Sequence, residues 1–169
     1  MKKQLLVALL GTALALPIVA QAEGAYVGVN VGRSEIKADG GFKDHDTAFK
    51  LSGGYDFDKT FGVEAGYVDL GKSEGVKGSA FYVAGTGNFA INEQFSLFAK
   101  VGISANRVKV EGTNTKFNNT APIIGVGAAY NFSKTFSLVG EYENFGKVVD
   151  ENNFSVKADM FSVGLRYKF

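Results

Sequence analysis

The sequence predicts an all-β chain, an eight-stranded antiparallel up-and-down transmembrane β-barrel with short periplasmic turns and four longer extracellular loops. Three observations lead there. The chain opens with an export signal, the rest alternates apolar and polar residues with period two in eight segments, and 22 Gly with 13% aromatics but no Cys or Trp fill 169 residues. Gly at this density is costly in helices. The composition is also too apolar for a disordered chain. The lack of Cys removes disulfides, thiolate metal sites and cysteine nucleophiles together, and 18 Lys+Arg against 17 Asp+Glu gives no electrostatic case for nucleic acid.

Residues 1–22, MKKQLLVALLGTALALPIVAQA, carry Lys2 and Lys3, an apolar stretch from Leu5 to Val19 interrupted by Pro17, and the small-x-small ending Ala20-Gln21-Ala22. This is the pattern of a secretory signal peptide, cleaved after Ala22. The mature domain is then 23–169, and within it no stretch approaches the ~20 apolar residues of a spanning helix. An exported chain of this kind enters a membrane only as strands closed into a barrel, since lipid offers no partner to unpaired backbone groups.

The first strand is read at 25–32, where Ala25, Val27, Val29 and Val31 oppose Tyr26, Gly28, Asn30 and Gly32. The second, 49–57, sets Phe49, Leu51, Gly53, Tyr55 and Phe57 against Lys50, Ser52, Gly54 and Asp56. The third, 61–67, sets Phe61, Val63, Ala65 and Tyr67 against Gly62, Glu64 and Gly66. The fourth, 81–91, and the fifth, 97–104, alternate alike, with Lys100 and Gly102 on the polar face of the fifth. The sixth, 124–131, follows Pro122, whose missing N–H is best tolerated where a strand begins. The seventh, 136–143, puts Glu141 and Glu143 on one face; period two explains that pairing without catalysis. The eighth, 161–169, ends the chain with Phe161, Val163, Leu165, Tyr167 and Phe169 opposite Ser162, Gly164, Arg166 and Lys168.

Connections alternate in length. Short turns fall at Asp58-Lys59-Thr60, Asn92-Glu93-Gln94 and Ser133-Lys134-Thr135, and longer polar loops are read near 33–46, 70–79, 106–120 and 144–156. That asymmetry between rims is typical of outer-membrane barrels. Orientation follows from the glycines. A soluble barrel would turn Gly28, Gly54, Gly66, Gly102, Gly125 and Gly127 outward with few charges, a poor aqueous surface. Small residues inward and Val, Leu and Ile toward lipid is the consistent arrangement. Tyr55, Phe57, Phe61, Phe89, Phe95, Tyr130, Phe132, Phe136, Tyr167 and Phe169 cluster near the short turns or the chain end, as an interfacial girdle would.

The stretches Gly53-Gly54-Tyr55, Phe61-Gly62-Val63-Glu64-Ala65-Gly66-Tyr67 and Leu70-Gly71 resemble the second and third strands of the OmpA-type transmembrane domain, and Ala25-Tyr26-Val27-Gly28 resembles its first. The ending Phe161-Ser162-Val163-Gly164-Leu165-Arg166-Tyr167-Lys168-Phe169 is similar to the terminal strand of outer-membrane barrels, which implies that Phe161, Val163, Leu165, Tyr167 and Phe169 act as the signal read by the barrel-assembly machinery. The size resembles the stand-alone OmpX and opacity-protein group, and the expectation is a barrel without the peptidoglycan-binding domain of full-length OmpA proteins. In that family an acidic residue matching Glu64 pairs with basic residues in the lumen. The positions aligned with those partners hold Thr86 and Val139, a departure that puts the family's gate in question here.

On the inward face, Lys50, Glu64, Lys100, Glu141 and Arg166 form a candidate lumen network. Charges enclosed in a narrow barrel require partners, so Glu64 and Glu141 are expected to pair with Lys100 and Arg166 and plug the interior, either as a gate or as filling. His45, within Asp44-His45-Asp46, is the one histidine. An acyl-transfer role would need a nucleophile that no motif supplies, and a metal there would lack a fourth ligand. No enzyme activity, cofactor or metal is therefore expected. Gly85-Thr86-Gly87 and Gly125-Val126-Gly127 are too short for a dinucleotide fingerprint and precede no helix. Mixed charges in the first long loop, among them Arg33, Glu35, Lys37, Asp39 and Lys43, suit solvent, lipopolysaccharide phosphates or a surface ligand. The expected partners are outer-membrane lipid and lipopolysaccharide, the assembly machinery and a host or surface ligand at the loops, with the protein a monomer. The expected role is structural and interactive in the bacterial outer membrane; the alternatives are a narrow pore and, third, a lipid-A-modifying enzyme.

Overall fold

The computed structural model describes residues 24–38, 42–73, 76–110, 116–151 and 154–169. The signal segment 1–22 lies outside the described residues. Eight strands follow in chain order: β1 Ala25–Ala38, β2 Phe42–Asp56, β3 Phe61–Ser73, β4 Val76–Ala90, β5 Phe95–Val110, β6 Lys116–Asn131, β7 Phe136–Glu151 and β8 Phe154–Lys168. Each pairs antiparallel with the next, and β8 pairs back onto β1 from Tyr26↔Lys168 to Ala38↔Val156, closing the barrel. Closure satisfies every edge within the membrane, which is what hydrocarbon requires.

Side-chain parity sorts the wall into two faces. Val29, Val31, Leu51, Val83, Val101, Ile103, Ile124, Val126, Leu138, Val163 and Leu165 point outward and are 42–64% exposed. Lumen positions, one residue out of phase, are buried, including Gly28, Gly62, Gly66 and Gly125. Glycine is needed where the interior is most crowded: a Cβ on Gly66 would stand 2.6 Å from the Tyr82 ring, and one on Gly127 would stand 2.3 Å from the Phe98 ring. Two large aromatic side chains therefore fit in the lumen because the facing residues have none.

The three short turns share one construction. The Asp58 carboxylate accepts from the Thr60 and Phe61 N–H groups at 2.6 and 2.8 Å. The Asn92 side-chain oxygen accepts from Gln94 and Phe95 at 2.9 and 2.7 Å, and the Ser133 hydroxyl from Thr135 and Phe136 at 3.2 and 2.8 Å. Asp, Asn and Ser are favoured at such positions because a short side chain mimics a backbone acceptor. The aromatics flanking the turns pack together, as in the Phe95/Tyr130 and Phe136/Tyr167 pairs with centroids 4.7 and 5.1 Å apart.

At the opposite rim the strands run further than the apolar alternation marks. Segments read as the loops 33–46, 70–79, 106–120 and 144–156 are largely strand, with pairing out to Ala38↔Phe42, Ser73↔Val76, Lys109↔Lys116 and Glu151↔Phe154. Strands of 13–16 residues exceed the ~9–11 that cross a bilayer. Beyond the hydrocarbon the outward face no longer has to meet lipid, so the apolar stripe fades while the hydrogen-bond ladder continues.

Two glycine-centred bulges interrupt this extension, and the β7/β8 register shifts once more between Lys147 and Val149. In β3 the register shifts between Asp69 and Lys72, with Gly71 at φ +85°; in β7 it shifts between Asn144 and Lys147, with Gly146 at φ +64°. Such backbone favours glycine. The segments are the same motif four strands apart, Tyr67-Val68-Asp69-Leu70-Gly71-Lys72 and Tyr142-Glu143-Asn144-Phe145-Gly146-Lys147. Asp69 accepts from the Gly71 N–H at 3.1 Å and Asn144 from the Gly146 N–H at 3.0 Å. Among the described residues β2 and β3 pair no further outward than Asp69, and β6 and β7 no further than Asn144. Past the bulges the wall continues as two four-stranded sheets, β7-β8-β1-β2 and β3-β4-β5-β6.

Candidate functional site

The lumen side chains form three layers. Nearest the short turns, Phe98 of β5, Ala129 of β6 and Val139 of β7 make a buried apolar cluster. Thr86, which the resemblance aligned with a basic partner, is buried with its hydroxyl unpaired within the protein; Val139 is part of the apolar cluster.

The middle layer is ionic. Lys100 donates to Glu64 at 2.5 Å, to Glu141 at 2.6 Å and to Glu143 at 3.1 Å. Lys50 donates to Glu141 at 2.6 Å and Glu143 at 3.0 Å. Arg166 reaches Glu64 at 3.5 Å while its guanidinium lies 4.3 Å from the Tyr26 ring centroid and 5.2 Å from that of Phe98. Tyr82 and Tyr26 hydroxyls donate to the two oxygens of Glu64 at 2.6 and 3.0 Å, and Asn30 donates to Glu141 at 3.2 Å. Three carboxylates face three cations, and Tyr26, Tyr82 and Asn30 add donors to Glu64 and Glu141. A buried ionic group persists only under that condition.

The five residues expected in the lumen, Lys50, Glu64, Lys100, Glu141 and Arg166, thus meet in one cluster, although Arg166 touches Glu64 and not Glu141. Lys50, given no partner by the sequence, bridges Glu141 and Glu143. Glu143 is fully buried and belongs to the cluster. The signal for it was available: it shares the inward parity of Glu141. Carboxylate oxygens of Glu64, Glu141 and Glu143 lie within 4.8 Å of one another, and Lys100 places its ammonium against all three.

Above the charges, toward the long strand extensions, Ala48, Val68, Leu70, Ala80, Tyr82, Ala84, Ile123, Phe145, Ala158 and Met160 form one buried apolar cluster. They come from β2, β3, β4, β6, β7 and β8, so the layer crosses the lumen. The bulges aim two of them inward. The Leu70 carbonyl accepts from Ser34 of β1 at 2.7 Å, and Ser34 also donates to the Asp46 carbonyl of β2 at 3.3 Å. On the other side the Phe145 carbonyl accepts from Ser104 and Asn106 of β5 at 3.5 and 3.3 Å, and Ser104 also donates to the Ala121 carbonyl of β6 at 3.2 Å.

Among the remaining candidates, the His45 backbone pairs with Glu35, while the side chains of Asp44 and His45 lie outside the described ones. On β8, Phe161, Val163 and Leu165 face lipid at 44–59% exposure, Tyr167 contacts Phe136 and Phe169, and the Phe169 N–H donates to the Ala25 carbonyl at the β8/β1 seam. The outward Gly87 and Gly140 line a lipid-facing groove of about 520 Å³ with Ala99, Ala128, Phe89 and Tyr142.

A closed antiparallel barrel with an apolar outer wall, an aromatic belt at its short turns and a filled lumen defines a small transmembrane β-barrel. The family model described as outer membrane protein beta-barrel domain matches residues 5–169, and the chain belongs to that family of the bacterial outer membrane. Its sequence matches no curated protein. Its fold is similar to Neisserial surface protein A, with 19% identity over 87% of this chain and 98% of that one and a TM-score of 0.67. It is also similar to Ail, the attachment invasion locus protein of Yersinia pestis, with 22% identity over 86% and 99% and a TM-score of 0.60. The same Ail protein in complex with the heparin analogue sucrose octasulfate matches at 24% identity over 86% and 99%, with a TM-score of 0.56.

Proposed function

We propose that this protein is a structural and surface-contact barrel of the outer membrane, whose two protruding sheets meet a host or surface ligand while the filled lumen makes the barrel rigid. The observation that carries this reading is the combination of a lumen occupied at three levels with strands that outrun the bilayer by several residues. A barrel built for flux keeps its axis open; one built to display a surface gains from a packed axis. The similarity to Ail bound to a heparin analogue supports a sulfated polysaccharide as the first ligand class to test. In this reading lipopolysaccharide surrounds the outer wall, and the assembly machinery reads the β8 pattern ending at Phe169.

The test is adhesion. Cells displaying the protein, in a strain otherwise non-adherent, are measured for binding to immobilised heparin and to cultured epithelial cells against the empty strain. Binding that shortening of the β1/β2 and β5/β6 extensions removes, with the barrel still folded, supports the reading. Binding equal to the empty strain on both surfaces removes the adhesive part of it. A second reading, a narrow pore for ions, is favoured by the charged layer across the axis. Planar-bilayer recording of the refolded protein tests it, with steps altered by Glu64→Ala or Lys100→Ala as the supporting outcome.

A further inference from the structure

We propose that the barrier closing this lumen toward the outside is the apolar layer carried inward by the two glycine bulges, and that the ionic cluster lies sealed beneath it without itself being the closure. This goes beyond the surface-contact reading and is independent of it. Phe145 and Ile123 are fully buried, Met160 likewise, and Leu70 is 2% exposed, so the layer leaves no wetted path among the described residues. An apolar constriction of this kind excludes water by dewetting, without any charge switch.

The backbone is arranged to hold it. Continuing the ladder through Leu70 and Phe145 would keep their carbonyls in pairs with β2 and β6. Instead the Asx-capped bulges end that pairing at Asp69 and Asn144, and hydroxyls from strands two away, Ser34 and Ser104, collect the freed carbonyls. The same device occurs twice, on opposite sides of the barrel. A carbonyl turned from its ladder costs free energy unless rebonded, so duplication with dedicated donor partners marks a feature that positions Leu70 and Phe145. The ionic layer needs the seal: Lys100 and Lys50 hold their partners at 2.5–3.1 Å inside low-dielectric walls, where water would weaken each contact.

A single-cysteine reporter decides the matter, because the chain has no cysteine of its own. Ser52→Cys places a thiol on the lumen face of β2, two residues from Lys50 and 6% exposed in the native side chain. Its rate of reaction with a small charged maleimide is measured on the folded protein in detergent micelles, with folding checked by circular dichroism and by gel mobility with and without heating. Adding Leu70→Ala and Phe145→Ala is expected to raise that rate at least about tenfold. Adding Lys100→Met alone, with the layer intact, is expected to leave it within about twofold. An unchanged rate in the folded Leu70/Phe145 variant, or an equal acceleration by Lys100→Met, overturns the proposal. If the double variant does not refold, Ser104→Ala with Asn106→Leu, which releases the Phe145 carbonyl, is read by the same criterion, acceleration supporting and no acceleration refuting.

Discussion

Lys100 donates to three carboxylates at once, where Lys50 reaches two and Arg166 one, so its removal takes a partner from every carboxylate of the cluster. In Lys100→Met, Glu64, Glu141 and Glu143 face only Lys50 and Arg166, and breaking a buried ionic group by deleting one partner costs about 3–5 kcal/mol. Urea unfolding in micelles should show a loss in that range, and Glu64→Gln in the same chain should restore part of it; full additivity of the two losses would mean that they do not interact. At the other rim, Asp58 offers a test by pH. The Phe61 N–H, then the Thr60 N–H, hold its carboxyl below the ordinary carboxylate range. A depressed folded value means that the turn's stabilising contribution is present above the unfolded value, about pH 4, and is lost as pH falls through the folded one. The stability difference between wild type and Asp58→Asn should therefore narrow between pH 6 and pH 3, whereas a constant difference would assign the turn's strength to something other than the charge. Of these residues, Glu64, Lys100 and Asp58 are legible from parity and turn spacing. Which cation meets which anion is not, because partners on β3, β5 and β7 are joined by the tilt of the strands across the axis.

The twin bulges are the element on which the outer half depends. Gly71 and Gly146 occupy backbone that an L side chain reaches only at a cost of roughly 1–2 kcal/mol, and a Cβ on Gly146 would also stand 2.8 Å from the Pro122 carbonyl oxygen. Gly71→Ala and Gly146→Ala should each lower unfolding stability by about that amount, and Gly85→Ala, outward and at ordinary φ, by well under it. Equal losses at all three would mean that the positive φ carries no strain. Alternation of apolar residues places each membrane-spanning strand well, since one face must meet hydrocarbon. It fails outside the bilayer, where Arg33 to Ala38 or Asn144 to Glu151 carry no apolar stripe yet remain paired backbone. The repeated Tyr-x-(Asp/Asn)-(Leu/Phe)-Gly-Lys motif is the signal that would have located the bulges, because Asx followed two residues later by Gly is turn chemistry interrupting a strand.

At the scale of the whole molecule, the two faces of the wall make opposite demands, and the fold follows from meeting both. The inward face carries its charges in a compensated cluster between two apolar layers, and the outward face carries almost none between the aromatic belt and the outer rim. The orientation predicts a dependence on depth that no soluble barrel would show. Val126 faces outward at mid-wall, 55% exposed, between Ala99 of β5 and Tyr142 of β7. An arginine there meets hydrocarbon and should cost about 2–4 kcal/mol, while one at Thr120, six residues nearer the outer end of the same strand and also exposed, should cost about 0–1 kcal/mol. Refolding into vesicles of a phosphatidylcholine bilayer, followed by urea titration, measures both. If the two arginines cost the same, the apolar face of the barrel is not the face that lipid covers.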